Sequence, residues 1–365
     1  MPRTFLTYRS RPRIRVNATE PSLLTLALAE APHAAGQEEI ASLAARLFAG
    51  APFDVGATLP VFANAGIERR TLALPLAAYA EGLTSESRNG AYLEVAGAML
   101  RDVAARAVPP EARARVTHVV TVSNTGVATP ALDCDVIEAL DLNAGARRVP
   151  VFGLGCAGGV AGLQLARDLA RSAPDALVLL LCVELTSLTL LAEDKSRRNF
   201  IACALFGDGA AAALVGRPDD ALPALATPRR SLTRLFPASR DLMGWDVLER
   251  GWRVVFSPRI PGVVQRCARE LVAGVADVRP RHFALHPGGR KVLDAYRAGL
   301  GLSQAELAPA SEVLARHGNM SAATVFFVLD RILRAPDFEP GACVAAAFGP
   351  GFTADLLALD LHRRP

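Results

Sequence analysis

Apolar residues along this chain fall into two rhythms. Short unbroken runs, many of them β-branched, mark buried strands at residues 119–122, 149–152, 177–183, 211–215, 283–285, 343–348 and 356–361. Between several of them the apolar positions recur every three or four residues. That spacing predicts helices over residues 86–108, 160–172, 259–276 and 321–334. In the first of these Tyr92, Val95, Met99 and Val103 fall near one face. Alternation of the two rhythms predicts an α/β fold in layers around a largely parallel sheet. The stretch 216–237, rich in Pro and Arg, reads as a seam between two halves, residues 1–225 and 226–365.

The strand ends repeat. Asn124 and Cys156 close two successive strands 32 residues apart, and His286 and Asn319 hold comparable places 33 residues apart. Cys156 to Glu184 and Asn319 to Ala347 are both 28 residues. Near-equal intervals in the same order suggest a duplicated unit, although α/β units have similar lengths anyway. A chain of 365 residues has room for about two domains.

Composition narrows the classes. An apolar fraction of 51% supplies ample core and excludes a disordered chain. Forty basic against 36 acidic residues leave only +4, spread along the chain, so no nucleic-acid partner is expected. The longest apolar run, residues 176–183, is strand length, so no transmembrane segment is expected. The basic N-terminus has no long apolar stretch behind it, which argues against a secretory signal. Six cysteines without a CxxC pair, and histidines without HExxH spacing, point to reduced thiols, a cytoplasmic location and no metal.

One motif invites a nucleotide. Gly153-x-Gly155-x-x-Gly158 follows a strand and opens a helix, and Glu184 ends the next strand, where a ribose-binding acid would stand. The motif lies deep in the chain, however, and a cysteine sits inside its turn. A thiol at a helix N-terminus meets unpaired N–H groups and the positive end of the helix dipole, which favour thiolate. The glycines around it would let a bulky substrate come close to the backbone. Cys156 is therefore the candidate nucleophile, and the other five cysteines read as packing. A nucleophilic cysteine needs a base and a charge stabiliser. His286 ends an apolar strand and is exposed by the turn Pro287-Gly288-Gly289. Asn319 immediately precedes a helix, where capping would be its ordinary role. His317, two residues away, reads as a loop residue.

Taken together, GLGCAGG, LFGDGAAAALVG, LHPGG, HGNMSAA and AFGPGFT resemble the type III polyketide synthases, the chalcone-synthase-like branch of the thiolase superfamily. The likeness runs over about residues 60 to 362. It implies a thiolase fold of two duplicated αβαβα halves, a homodimer, and acyl-CoA and malonyl-CoA as substrates with no cofactor. It carries a catalytic triad onto Cys156, His286 and Asn319, with an imidazolium at His286 keeping the thiol ionised. Phe206 matches one of the family's two gatekeeping rings. The other position holds Val254, a lost ring that would admit a longer, slimmer starter. Cavity-lining positions by the same likeness are Asn124, Thr125, Thr186, Thr189, Ala202 and Ser321, with Gly349 and Pro350 from the last motif, where Ala347 replaces the family's first glycine. Thr129-Pro130 falls where the family crosses its dimer interface. The CoA-phosphate contacts do not align cleanly, which leaves Arg69 and Arg70 as candidates.

The spellings GLGCAGG and LCVELTSLT resemble bacterial members that make alkylpyrones or alkylresorcinols from medium- or long-chain fatty acyl-CoA. A ketoacyl-acyl-carrier-protein synthase III, with one condensation, is the nearest rival. There the histidine is followed by Gln-Ala-Asn, not Pro-Gly-Gly. A silent acyl-binding protein on the same scaffold, and an NAD-dependent dehydrogenase built on the Gly153-x-Gly155-x-x-Gly158 motif, are the remaining readings.

Overall fold

The computed structural model describes residues 20–249 and 251–363. Among these residues thirteen strands follow in chain order. In the first half they are β1 (Ser22–Glu30), β2 (His33–Gly36), β3 (Arg69–Leu72), β4 (His118–Val122), β5 (Arg147–Val151), β6 (Val178–Leu185) and β7 (Asp208–Gly216). The second half contributes β8 (Ala226–Leu235), β9 (Met243–Leu248), β10 (Gly251–Phe256), β11 (His282–Leu285), β12 (Gly341–Gly349) and β13 (Thr353–Leu361). All seven strands and four helices expected from the apolar rhythms are present, shifted by a few residues at most.

Nine strands form one sheet in the order β11-β12-β13-β8-β1-β7-β6-β4-β5. The run β4-β6-β7-β1 recurs as β11-β12-β13-β8, with the same alternation of direction. The first pair of each run is parallel and the next two are antiparallel. A single bridge, Leu23 to Ala226, joins the runs. This is the thiolase arrangement, and the repeated intervals in the sequence are its trace. β5 extends the first run and has no counterpart in the second.

Two expectations need correction. The sheet is mixed rather than largely parallel, because β1, β7, β8 and β13 return antiparallel. The seam at 216–237 also contains β8, which pairs along β13. Its outer residues Arg229, Arg230 and Arg234 are polar, and Pro228 sits inside it, so the stretch resembles a linker in composition.

The middle strands are buried along their whole length: VLLLCVEL in β6 and DGAAAALVG in β7. Both faces are therefore covered, which explains their unbroken apolar spelling. The helix Ser85–Ala107 packs outside β1, β6 and β7. Two further helices, Gly158–Ala170 and Thr324–Leu333, each pack against strands of both runs. The second buries eight of its ten residues, as expected of a helix enclosed between layers. These central helices begin where the chemistry-bearing residues stand. β9 and β10 form a separate two-stranded hairpin.

Candidate active site

Cys156 sits in a one-turn 3₁₀ helix, Gly155–Ala157, that runs into the helix Gly158–Ala170. The turn before it needs positive φ at Gly153 (+92°) and Gly155 (+47°), a backbone that L side chains rarely adopt. Asn124, just past β4, holds this turn in place. Its Oδ1 accepts from the N–H of Gly153 (2.8 Å) and of Gly155 (3.0 Å). Its Nδ2 donates to Glu184 Oε1 (2.6 Å) and its backbone N–H to Glu184 Oε2 (3.1 Å). The cysteine turn is thus tied through one amide to the end of β6. Glu184 is completely buried, and burial pushes its carboxyl up to about 7 against these donors. Enclosed in this way, it is not placed to meet a ribose.

His286 follows β11 and anchors its backbone N–H on Ala346 O (2.8 Å). Its ring is buried and neither ring nitrogen has a protein partner. Asn319 is pinned at both backbone atoms, donating to Leu205 O (2.8 Å) and accepting from Gly207 (3.0 Å). Its Oδ1 accepts from the N–H of Ser321 (2.9 Å), so the capping role exists too. Nδ2 donates to Gly288 O (3.3 Å), which leaves its second proton free. Cys156 Sγ lies 4.0 Å from Asn319 Oδ1.

These three side chains line one cavity of about 650 Å³, mouth included. Ser321, Thr186, Phe206, Val254 and Pro350 share its wall. A second, apolar cavity of about 590 Å³ adjoins it, with Thr189 and Ala202 in its wall beside Thr186, Phe206 and Val254. A third, open hollow at the mouth is bordered by Asn124, Phe152 and Arg240. Two expected wall residues stand apart from all three. Thr125 Oγ1 accepts from the N–H of Leu185 (2.8 Å), and Gly349 is pressed against Leu154 O and Ala157.

Several further expectations change. The glycines after Cys156 face protein. A Cβ on Gly158 would come 2.8 Å from Val122 Cγ1, and one on Gly159 would come 2.2 Å from Ala322 O. Arg69 pairs with Glu30 (2.8 Å), while Arg70 is fully buried and donates to Phe206 O (2.9 Å) and to Gln37. Neither is a free arm for a CoA phosphate. His317 ends the helix Gln304–His317, lies against the Phe327 ring and faces Glu30. Trp245, Met243 and Tyr296 line the central cavity and were not singled out from sequence. The signal for Trp245 was available: MGWDVL and GWRVVF are two strand-like runs around a short turn.

The helix end does not by itself make a thiolate. Burial is the largest influence on Cys156 and pushes its thiol up to about 11; hydrogen bonding to Ser321 and Asn319 pulls the other way, and Glu184 adds to the rise. Burial alone lowers the His286 imidazole to about 4. Taken singly, both groups are neutral at pH 7. Transfer of one proton from Sγ to the imidazole creates opposite charges within one cavity, and each then favours the other. His286→Ala removes that option and leaves burial in control. We expect the pH at which iodoacetamide alkylates Cys156 to move up by at least about one unit in this variant. An unchanged alkylation profile would dissociate the two residues.

Among the described residues no cluster of His, Cys, Asp or Glu is arranged to hold a metal, and no helix is long and apolar enough to cross a membrane.

Residues 84–219 match the N-terminal domain of chalcone and stilbene synthases, and residues 232–361 match the C-terminal domain. A putative chalcone synthase of Bacillus subtilis (strain 168) is 34% identical over 349 residues, 90% of this chain and 95% of that protein. The 1,3,6,8-tetrahydroxynaphthalene synthase of Streptomyces peucetius subsp. caesius is 36% identical over 339 residues, 90% of each. The solved structure of 1,3,6,8-tetrahydroxynaphthalene synthase from Streptomyces coelicolor A3(2), a bacterial type III polyketide synthase, superposes with a TM-score of 0.87 at 26% identity, covering 94% of this chain and all of that one. A fungal type III polyketide synthase superposes at 0.81, also 26% identical, with the same coverage. With both halves matched and the fold shared, the chain belongs to the chalcone and stilbene synthase family and is a type III polyketide synthase, an acyl-transferring condensing enzyme.

Proposed function

We propose that this enzyme extends a medium- or long-chain fatty acyl-CoA starter with malonyl-CoA and closes the product to an alkylpyrone or alkylresorcinol. The observation that carries the reading is the apolar cavity adjoining the one that Cys156 lines, walled by Ile40, Leu43, Leu47, Leu72 and Leu76. An aliphatic chain suits such a wall, at about 0.8 kcal/mol per buried methylene.

In the proposed cycle Cys156 Sγ gives its proton to His286 and attacks the starter carbonyl. A new S–C bond forms, the bond to CoA sulfur breaks, and the proton leaves with CoA. Malonyl-CoA then loses CO₂, and the electron pair of the broken C–C bond becomes an enolate. Donors at His286 and the free Asn319 amide proton meet the enolate oxygen, an oxyanion-hole arrangement. The enolate carbon attacks the Cys156 thioester, the S–C bond breaks, and the lengthened chain leaves on CoA before reloading. This sequence needs only the two CoA thioesters.

The halves 1–225 and 226–365 would then each supply part of the site, with Cys156 in one and His286 and Asn319 in the other. We read the enzyme as a cytoplasmic homodimer. The exposed apolar residues Phe152 (63%) and Val127 (55%), the edge strand β5, and the exposed Thr129 beside Val127 supply a face for a second copy.

Relatives named 1,3,6,8-tetrahydroxynaphthalene synthase support a second reading, in which the product is that naphthalene and carries no alkyl chain. One assay separates the two. Purified protein is incubated with malonyl-CoA and a series of acyl-CoA starters, and products are weighed by mass spectrometry. The first reading requires product masses that rise with the starter. A single mass that ignores the starter supports the second reading, and no CoA release with any starter refutes both.

A further inference from the structure

Part of the wall of the Cys156 cavity is built by two helices and a strand. The helix Ile260–Ala273 supplies Ile260 and Val264, the helix Arg290–Leu300 supplies Val292 and Tyr296, and β12 supplies Phe348. Val292 and Tyr296 stand one turn apart on one face of their helix. Gly288 and His286, which line the same cavity, lie just before its first turn. A long side chain on a helix leans toward the helix start, here the end at which His286 stands.

Tyr296 is 2% exposed, and its hydroxyl has no hydrogen-bond partner. Its neighbours in this part of the wall are apolar, and the Phe348 ring lies 6.0 Å away, tilted. A phenyl ring would fill the same space without the oxygen, and an unpaired buried hydroxyl weakens a fold. The other unpaired atoms of the cavity, the nitrogens of His286, have a task in the cycle above. The phenol has none. Burial, with Cys267 adding to it, holds the phenol well above its ordinary pKa, so it stays a neutral O–H donor. Among the described residues no Arg or Lys lines this cavity, so a neutral carbonyl suits the place better than a carboxylate.

We infer that Tyr296 is a binding residue for the growing product: its hydroxyl donates a hydrogen bond to a ketone oxygen of the poly-β-ketone on Cys156 and so favours further extension over early release. The inference needs only the iterative condensation common to both readings above, and not a particular starter.

Tyr296→Phe removes the oxygen and keeps the ring. With isotope-labelled malonyl-CoA and each starter in turn, mass spectrometry counts the malonyl units in every product. In the variant the ratio of products released after fewer condensations to the longest product should rise about fivefold, the scale of one neutral hydrogen bond. The urea midpoint should stay or rise, because nothing in the fold loses a partner. An unaltered product ratio overturns the inference. A lowered midpoint overturns it too, since the hydroxyl would then serve the fold.

A second measurement needs no turnover. The chain has four tyrosines, so after labelling with 3-fluorotyrosine the fluorine NMR signal of residue 296 is the one missing from Tyr296→Phe. Without malonyl-CoA no extension occurs. Either 3-oxohexanoyl-CoA or 5-oxohexanoyl-CoA should move that signal further than hexanoyl-CoA, which has the same carbon chain and no ketone. Equal shifts from all three overturn the inference. If the unaltered chain makes no product with any starter, it is the proposed function that fails, and the fluorine comparison still decides the place of Tyr296.

Discussion

Cys156→Ala is expected to abolish polyketide formation, on the order of 10⁴-fold or more, while malonyl-CoA decarboxylation remains measurable. The size follows from the role. Without sulfur at this position the starter has nothing to be held on, and no neighbour can take over. Cys203 stands in the wall of the apolar cavity, but burial pushes its thiol up to about 12. His286 and Asn319 keep their backbone anchors on Ala346, Leu205 and Gly207, none of which involves the cysteine. The donors that meet an enolate oxygen thus survive the substitution. The measurement is paired: CO₂ release from malonyl-CoA, and acyl-enzyme by intact-protein mass spectrometry. An acylated alanine variant, or product at the original rate, would remove Cys156 from the mechanism.

The second large effect is on the scaffold. Gly159→Ala is expected to cost about 3 kcal/mol of stability and most of the activity, near the upper end for overpacking. The added methyl would stand 2.2 Å from Ala322 O and 2.7 Å from Val325 Cγ1. The first of these is backbone, so it cannot swing aside. The strain is relieved only by moving the cysteine-bearing helix away from the segment 319–325, which opens the 4.0 Å approach of Cys156 Sγ to Asn319 Oδ1. Urea unfolding reports the first consequence and product formation the second. Gly90→Ala serves as the control. It lies in the exposed part of a helix with nothing within 4 Å, and should be neutral or stabilising by about 0.5–1 kcal/mol. Equal stability in the two variants would mean that the central helices are not in close contact.

These two residues also mark what could be read from sequence. The placing of Cys156 was legible because a cysteine in a glycine turn at a helix start is a local pattern. His286 stood out as a strand end before Pro287-Gly288-Gly289 and Asn319 as a residue just before a helix, and the structure brings both to the cavity that Cys156 lines. Gly159 was seen but given the wrong neighbour. Nothing in one dimension says whether a glycine is approached by ligand or by Ala322 of the other half. The same limit hid Trp245, which stands across a hairpin from Val254 in the wall of the central cavity. β8 was missed because Pro228 and three arginines give a strand the composition of a linker. The parallel sheet was overestimated because β6 and β7 are joined by a long helix-bearing connection that does not reveal its return direction, and because Pro350-Gly351-Phe352, the hairpin turn between β12 and β13, carries an ordinary loop composition. The pull of burial against the thiolate was not legible, because a helix terminus is a local pattern whereas burial is a property of the whole fold.

Asn124 has a consequence for how a polyketide would be steered. Both lone pairs of its carbonyl are taken by Gly153 and Gly155, and one amide proton by Glu184. Thr186 and Thr189 likewise direct their hydroxyl protons inward, to Gly207 O and Thr186 O. A wall that looks polar by residue type is therefore largely saturated. Among the described residues, the buried side-chain nitrogen and oxygen atoms of the central cavity without a partner are the two nitrogens of His286 and the hydroxyl of Tyr296. A chain of alternating ketones would find few donors away from the sulfur, so its folding before ring closure would be governed by the shape of the chamber more than by hydrogen bonds along its sides.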